Sequence, residues 1–470
     1  MSDTSSPATP SSPEFRSKRR FLRAASLATL LLGGAAAARA SAATGTSTGT
    51  STGPQPAPNP GGLDTILTFQ SLLRGEQRVT GDLVQSLGFH HLGDGGGGLY
   101  RRHASQLFKD SFQSAAGDWW SLVPTSSHLN VRQFGAAGDG RRDDSAAIET
   151  AVRCFRRLRA AVLYFPAGDY RLRQPVLHYD QPEDLGNIRI LGDGPELTRF
   201  VLDGPFEEFL FRVQGDTSAY GKRHVRFVDF ENFGILGNGR DRQNLFSLTC
   251  ADRTNLRNIH AYDFVGTGIR GRQWWDSLCD IRFVKGGDSD PGRETPVVDL
   301  DFVFEERLTD SACNNIVFPE TCQIEAYRWQ AMRWGRSTRR CRFLGKVHGW
   351  IGRDYQVPGV HLQGATSNLF FGCSLAHSMG SDQLQRDLVI ENTDYIPSHN
   401  RIMACSFVNG VELIGDTRGN LISDCVFRNK SGPAVLVDRG RGNIIRDNIG
   451  EPDQPLLKAA DPRALAPLSP

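Results

Sequence analysis

The sequence predicts an all-β fold, a parallel β-helix solenoid with a capping helix near its N-terminal end. The first observation is a repeat in which an Asn is followed five residues later by Cys or Asn; its copies begin at Asn368, Asn400, Asn420 and Asn443, which are 32, 20 and 23 residues apart. The second is a series of short Val, Ile, Phe and Leu runs that alternate with a period of two. The third is the high content of glycine, 50 of 470 residues, which suits a turn at every corner. Short repeats built from strands are typical of a solenoid.

The repeated Asn and Cys residues are expected to stack from rung to rung. A corner Asn can pass side-chain amide hydrogen bonds along the stack, and a Cys is small and apolar enough to pile inside it. The chain has nine Cys residues, and an odd number cannot pair completely within one chain. Since Cys373, Cys405 and Cys425 hold equivalent repeat positions, stacked buried thiols are favoured over a disulfide framework. No C-x-x-C pair and no His/Cys spacing suits zinc, so no metal site is predicted.

The first 43 residues are predicted to be an export signal, which places the mature protein in the periplasm or outside the cell. A basic segment leads into the apolar run Ala24–Ala38, which is too short and too rich in small residues for a dependable membrane span, and an A-x-A cleavage site follows at Ala38–Ala40. Ser17–Arg23 resembles a twin-arginine signal, but Lys18 stands at the first Arg position, so general secretion stays open. An uncleaved membrane anchor is the alternative interpretation. After cleavage no stable membrane span is expected.

The rest of the chain divides by composition. Residues 44–62 are a Thr/Gly/Ser/Pro linker predicted to be disordered, 63–128 a small lead-in module, 129–450 the β-helix and 451–470 a C-terminal tail. Beyond the basic N-terminal segment the charges nearly balance, so no nucleic-acid partner is expected. Residues 93–98 satisfy G-x-G-x-x-G, but Arg101 and Arg102 follow them instead of an apolar helix. We therefore expect a glycine turn packed against the first rungs, not a dinucleotide site.

The capping helix is expected shortly after residue 143. Asp144 or Ser145 can accept hydrogen bonds from its first N–H groups, and Ile148, Val152 and Phe155 form one apolar stripe. An amphipathic helix at this place would cover the open end of the solenoid.

A family resemblance rests on three stretches at the start of the β-helix. VRQFGAAGDGRRDDSAAIETAV (131–152), LYFPAGDYRL (163–172) and ILGDGPELTRF (190–200) resemble the opening of the pectate-lyase-superfamily domain of rhamnogalacturonase- and epimerase-like proteins and of phage tailspikes. The resemblance implies a right-handed parallel β-helix that acts on extracellular or envelope polysaccharide. The epimerase Asp-Pro-His-Glu motif and the full set of polygalacturonase motifs are absent, so no catalytic residue is carried over.

The main catalytic candidates are Asp299 and Asp301. Strand alternation would turn both carboxylates outward on one face, about 6.6–6.8 Å apart between Cα atoms, a separation that suits either an inverting or a retaining glycosidase pair. Glu325, or Asp229 with Glu231, could supply a partner from a neighbouring rung. The alternatives are a solvated strand face or a bound cation.

Aromatic and basic residues near these carboxylates are the candidates for substrate binding. Sugar rings stack on aromatic faces, and cations bind uronate carboxylates. The main candidates are Trp274, Trp275, Tyr327, Trp329 and Arg328. Further residues of the same types in this span are Trp334, Trp350, Arg270, Arg272, Lys285 and Arg333. Each could instead be a core aromatic or a solvated charge.

Two functional hypotheses remain at this point. The first is an exported glycoside hydrolase or polysaccharide lyase whose substrate lies in a groove on the outer face of the β-helix. The second is a non-catalytic β-helix that binds or organises polysaccharide. No cofactor is predicted, although residues 286–292 form a loop whose oxygen atoms could hold Ca²⁺. The identity of the polysaccharide and a homotrimeric assembly are left open.

Overall fold

The computed structural model describes residues 62–179, 186–215, 224–300, 313–336, 338–351, 357–377, 386–393, 396–428, 434–450 and 456–459. The predicted export signal, nearly all of the predicted linker and Asp301 lie outside these ranges. Within the described residues, no helix combines the length and the apolar character needed to cross a membrane. The domain boundaries given above stay predictions.

The N-terminal module is a small mixed sheet. Its strands are Leu63–Ile66, Leu83–Ser86, Gly98–His103, Phe112–Gln113 and Trp119–Leu122. The first two strands pair in parallel and the other pairs are antiparallel. A short helix, Phe69–Leu73, packs on the sheet, with the Phe69 and Tyr100 rings stacked 3.6 Å apart. The module therefore has an aromatic core of its own.

The glycine-rich turn fastens this module to the start of the solenoid. The backbone carbonyls of Gly95 and Gly97 accept hydrogen bonds from Asn130 Nδ2 (3.0 Å) and Gln133 Nε2 (3.1 Å). A Cβ atom at Gly96 would lie 2.5 Å from the Arg132 carbonyl oxygen, so only glycine fits there. This confirms the prediction of a turn packed against the first rungs.

The main body is a parallel β-helix with three faces. Strands of the first face are Leu177–Tyr179, Phe206–Gln214, Ile269–Trp275, Val298–Leu300, Met332–Trp334, Val360–Gln363, Leu388–Glu391, Val411–Ile414, Ala434–Asp438 and Leu456–Ala459. Strands of the second face are His128–Asn130, Val162–Phe165, Gly186–Gly192, Val317–Phe318, Arg342–Phe343, Leu369–Phe371, Arg401–Met403, Leu421–Ser423 and Ile444–Arg446. Strands of the third face are Asp139–Asp143, Gly168–Leu172, Thr198–Leu202, Cys279–Val284, Gln323–Tyr327, Lys346–Trp350, Ser374–Ala376, Ser406–Phe407, Val426–Phe427 and Ile449–Gly450.

Two long strands turn the corners between faces. Val225–Leu236 runs from the second face to the third, and Gln243–Tyr262 runs across all three. Each strand pairs in parallel with its equivalent one rung away, so every inward side chain lies above another one. The all-β parallel β-helix predicted from the repeat is thereby confirmed; its right hand stays a prediction.

The repeated Asn and Cys residues form the expected stacks. Nδ2 of Asn368, Asn400 and Asn420 donates in turn to Oδ1 of Asn400 (3.1 Å), Asn420 (2.9 Å) and Asn443 (3.0 Å). All nine cysteines are buried thiols outside any disulfide, including those at the repeat positions. The hydrogen bond with Cys373 and burial raise the pKa of Cys405, while the hydrogen bond with Cys425 opposes them, so the Cys405 thiol stays protonated at neutral pH.

The predicted helix spans Ser145–Leu158 and follows the 3₁₀ helix Val131–Phe134. Its stripe of Ile148, Val152 and Phe155 is buried, as predicted. The expected cap is different: the Asp144 carboxylate accepts from backbone N–H groups of the preceding glycine turn, and Asp143 Oδ1 accepts from Ser145 N (3.0 Å). That this helix closes the end of the solenoid stays a prediction.

Candidate active site

Asp299 lies on the first face, in a column of outward residues on adjacent rungs. Its neighbours in that column are Arg270 on one side and Arg333 on the other. Arg333 binds both of its carboxylate oxygens, at 3.0 Å each, and the Asp299 side chain is only 6% exposed. The prediction of an outward position is correct, but the carboxylate is covered and fully engaged by a guanidinium. Its predicted partner Asp301 lies outside the described residues.

The other carboxylates do not share a face with Asp299. Glu325 is on the third face, and Asp229 and Glu231 are on the second face. Arg257 lies near both second-face carboxylates, at 3.6 Å from Asp229 and 3.4 Å from Glu231. The expectation that one of them completes a pair with Asp299 is therefore wrong, because the intervening turns carry the chain to a different side of the solenoid.

Two of the predicted sugar platforms are core residues. Trp274 and Tyr327 are both fully buried, as is Trp334. Trp274 Nε1 donates to the Thr254 carbonyl (2.9 Å), and the Tyr327 hydroxyl hydrogen-bonds to His377 Nδ1. None of these rings offers a face to a sugar in this structure.

The remaining predicted binding residues are half-buried. The Trp275 ring lies 4.1 Å from the His224 ring, and the Trp329 ring lies 6.0 Å from the Arg333 guanidinium. Arg328 donates to the Phe264 carbonyl (2.8 Å) and to Asp263 Oδ1 (2.7 Å), so it links its own part of the chain to the loop that holds these two residues. These side chains do not converge on one groove with Asp299, and their role in substrate binding stays a prediction.

A different group of polar side chains comes together on the third face. His260 and Tyr262 are two residues apart on one strand, so both side chains point outward. The Tyr262 hydroxyl lies 3.2 Å from His260 Nδ1 and 3.3 Å from Glu196 Oε1. Glu196 Oε1 is also 3.3 Å from His260 Nδ1. Burial and the Glu196 charge raise the pKa of Tyr262, so its hydroxyl keeps its proton at neutral pH.

Arg282 lies beside this trio on the next rung, in register with His260. Its Nη2 donates to Glu325 Oε2 (3.1 Å), while its Nε is buried without a described hydrogen-bond partner. The hydrogen bond to Glu325 raises the pKa of Arg282, which keeps the guanidinium charged. An open depression of about 260 Å³ lies beside His260 and Arg282. Its other lining residues are Asn258, Ile259, Asp280, Thr321 and Gln323.

We name Glu196, His260, Tyr262, Arg282 and Glu325 the third-face cluster. It combines a base (the imidazole), a protonated hydroxyl, a cation and carboxylates, and its His260 and Arg282 line the depression. These are groups that proton-transfer chemistry uses. The imidazole is held at Nδ1, and no described residue hydrogen-bonds to its Nε2, which leaves that nitrogen available to a substrate proton.

No group of three His, Cys, Asp or Glu side chains in the described ranges is arranged to hold a metal ion. In the loop at residues 286–292, the Asp288 carboxylate is 2% exposed and is bound by Arg293 (3.1 Å), so it does not present an open oxygen ligand to a calcium ion. The loop is instead closed by backbone hydrogen bonds between Asp288 and Thr295.

Comparison with known proteins agrees with this fold. Residues 128–261 match the family model described as rhamnogalacturonase A/epimerase, pectate lyase-like. The matched stretch holds the first rungs of the β-helix. The structure of ORF18 of Geobacillus virus E2 resembles it over 85% of this chain and 74% of that chain, with a TM-score of 0.52 and 18% sequence identity.

Two curated relatives match parts of this chain. Mannuronan C5-epimerase AlgE3 of Azotobacter vinelandii is 35% identical over 105 residues, which are 21% of this chain and 5% of that protein. A probable glucan endo-1,3-β-glucosidase of Arthroderma benhamiae is 37% identical over 160 residues, which are 31% of this chain and 18% of that protein. Each match thus spans less than a fifth of the relative's own length.

Sequence reasoning missed most of the third-face cluster of the β-helix domain. Only Glu325 was among the predicted residues. The stretch Asn258–Tyr262 does carry a signal, because His and Tyr alternate there with the apolar Ile259 and Ala261. Glu196 comes from a turn 64 residues before His260. No local sequence pattern could have shown that Glu196 and His260 lie side by side.

Proposed function

We propose that the protein is an exported enzyme that acts on an acidic polysaccharide at the third-face cluster. The reaction is the removal of the sugar proton at C5, next to the uronate carboxylate, which leads either to chain cleavage by elimination or to epimerisation. The observation that carries this proposal is the contact of His260, Tyr262 and Glu196 beside the Arg282 cation, at the edge of a depression.

Each group has one role in this proposal. Arg282 binds the uronate carboxylate and stabilises the charge that develops on it when the C5 proton leaves. His260 Nε2 takes that proton, while Glu196 fixes the ring through Nδ1. In elimination the C4–O4 bond breaks, a C4–C5 double bond forms, and the Tyr262 hydroxyl gives its proton to the departing oxygen. In epimerisation solvent water gives a proton to C5 from the opposite side of the sugar, and the proton held by His260 is released to solvent.

The geometry supports proton transfer better than hydrolysis at Asp299. A glycosidase needs one protonated carboxyl and a second carboxylate flanking the same bond. Asp299 is covered and bound at both oxygens by Arg333, and the other predicted carboxylates of the described chain lie on other faces. The Tyr262 hydroxyl, in contrast, has a raised pKa and is only partly buried.

The relatives add support of a general kind. The names of matching proteins include mannuronan C5-epimerases and an alginate lyase, the latter 42% identical over 86 residues. Their names describe the chemistry of acidic polysaccharides. The predicted signal at residues 1–43 would carry the enzyme to such a substrate outside the cytoplasm.

The test is incubation of the mature protein with uronic and neutral polysaccharides. Ultraviolet absorbance from an unsaturated uronate identifies a lyase, and an altered uronate composition without cleavage identifies an epimerase. His260→Ala and Tyr262→Phe should each lower kcat by about 10² to 10⁴. The matched controls are His128→Ala and Tyr164→Phe on the second face, which should keep full activity.

Three outcomes would contradict the proposal. Reducing ends formed without unsaturated product would indicate a hydrolase. Binding of polysaccharide without any turnover would favour the non-catalytic β-helix. Full activity of the folded His260→Ala variant would move the chemistry away from the third face.

A further inference from the structure

The first face carries a concentration of arginines that the proposed reaction does not use. Arg270 is next to Ser247 and Asp299 on the adjacent rungs. Arg272 follows two residues later on the same strand, so both side chains point outward, about 6.6–6.8 Å apart at their Cα atoms. Arg242 lies close enough to act electrostatically on Arg270.

These cations lack counter-charges in the described protein. Asp299 is a carboxylate that acts on Arg270, and Arg333 already binds it at both oxygens. Arg242, Arg270 and Arg272 make no ion pair with any residue that the structure describes. Among the residues that the structure describes, the first face therefore holds an excess of positive charge at this point.

Among Arg242, Arg270 and Arg272, the surroundings of Arg270 give the strongest evidence for an anion site. Its guanidinium lies 5.1 Å from the Phe209 ring centroid, and its Nε is buried without a described hydrogen-bond partner. Burial lowers the pKa of Arg270, Asp299 opposes this effect, and the neighbouring arginines add to it. Holding a guanidinium partly buried and without an ion-pair partner costs free energy in the unliganded protein. An anion that binds to it from outside would remove this cost.

We infer that Arg242, Arg270 and Arg272 form a binding site for the oxyanion groups of an acidic glycan, on a different face from the third-face cluster. Guanidinium groups bind carboxylate and sulfate through paired N–H donors, and a row of them matches the repeated charges of a polymer. The buried Phe209 gives the bound guanidinium a flat apolar support. This site would hold the polymer while the catalytic face acts on another part of it or on another chain.

The test compares the Arg270→Gln/Arg272→Gln double variant with the parent and with Arg101→Gln/Arg401→Gln. The control pair removes the same charge from exposed positions elsewhere. Binding is measured by calorimetry with a polyuronate, a sulfated polysaccharide and a neutral one. We expect the first variant to lose about tenfold or more in affinity for the anionic polymers, because charge-assisted hydrogen bonds are removed. The control variant should change less than about twofold, as exposed charges contribute little.

Two further measurements separate a binding role from a structural one. The double variant should melt at or above the temperature of the parent, because it no longer carries an unpaired buried charge. In the His260→Ala background the affinity for the anionic polymer should persist and should again be lost with Arg270→Gln/Arg272→Gln. This measurement depends on binding alone, so it still tests the arginine site if the proposed reaction at the third-face cluster is not found.

The outcomes are distinct. Loss of affinity for the polyuronate, the sulfated polymer or both supports the site and identifies the preferred anion. Unchanged affinity of the double variant for both anionic polymers would overturn it, and so would equal binding of the neutral polymer by the parent. If the double variant melts below the parent, Arg272→Gln alone, at a half-exposed position, must still weaken binding severalfold.

Discussion

Replacing Asn400 by Ala should destabilise the solenoid strongly, because this side chain joins two rungs from inside. Asn400 is fully buried. Its Nδ2 donates to the Ala365 carbonyl (2.9 Å) and to Asn420 Oδ1 (2.9 Å), and its Oδ1 accepts from Asn368 N (3.1 Å) and Asn368 Nδ2 (3.1 Å). The variant removes a hydrogen bond from two buried backbone groups, Ala365 O and Asn368 N. At about 1–3 kcal/mol for each buried unsatisfied group, the expected cost is about 4 kcal/mol.

Urea unfolding followed by circular dichroism measures this cost. Asn443→Ala is the matched control, since Asn443 accepts the equivalent bonds from Asn420 but is only partly buried, so water can replace it. We expect the control to lose about 1 kcal/mol. Equal and small losses in both variants would refute the reasoning, because the buried amide stack would then contribute little to the stability of the coils.

Three other predictions concern separate parts of the solenoid. A thiol reagent should find no accessible cysteine in the native protein and nine in denaturant, whereas a smaller number under denaturing, non-reducing conditions would indicate disulfides. Burial lowers the pKa of His377 to about 3. Between pH 6.5 and 3 the His377 imidazole therefore binds a proton in the unfolded chain but not in the folded one. The free energy of unfolding should have its full value above pH 6.5 and should fall by roughly 4 kcal/mol as the pH is lowered to 3. His377→Gln should flatten that dependence, and an unchanged slope would contradict the cause. Asp299→Asn leaves Arg333 buried without its carboxylate, so the variant should lose about 3 kcal/mol of stability yet keep its turnover where it is folded.

The repeat could be recognised from the sequence because equivalent positions in successive rungs of a solenoid have equivalent surroundings. The Asn at the head of each copy, and the Cys that follows it five residues later in the first three copies, occupy the same places in successive rungs, so one physical reason applies to every copy. The helix at Ser145–Leu158 was readable from its apolar stripe. Its cap was not, because Asp144 meets the glycine turn only in the folded chain.

The candidate site was harder to predict for two reasons. Strand alternation says which side chains point outward, but the face on which they lie depends on the turns in between, and this separates Asp299 from Glu325. Alternation also breaks at corners. Gln273 and Ala326 have φ values of 49° and 51°, in the left-handed region, and the residues that follow them, Trp274 and Tyr327, are buried in the core.

The measurement that tests the central claim most directly is hydrogen exchange at C5 of a uronate polymer, followed by NMR in deuterated water. If His260 removes the C5 proton, turnover should either place deuterium at C5 or eliminate that hydrogen into an unsaturated product. The exchange should vanish in His260→Ala and persist in His128→Ala. Cleavage of the polymer with its C5 hydrogen fully retained would contradict proton transfer at the third face.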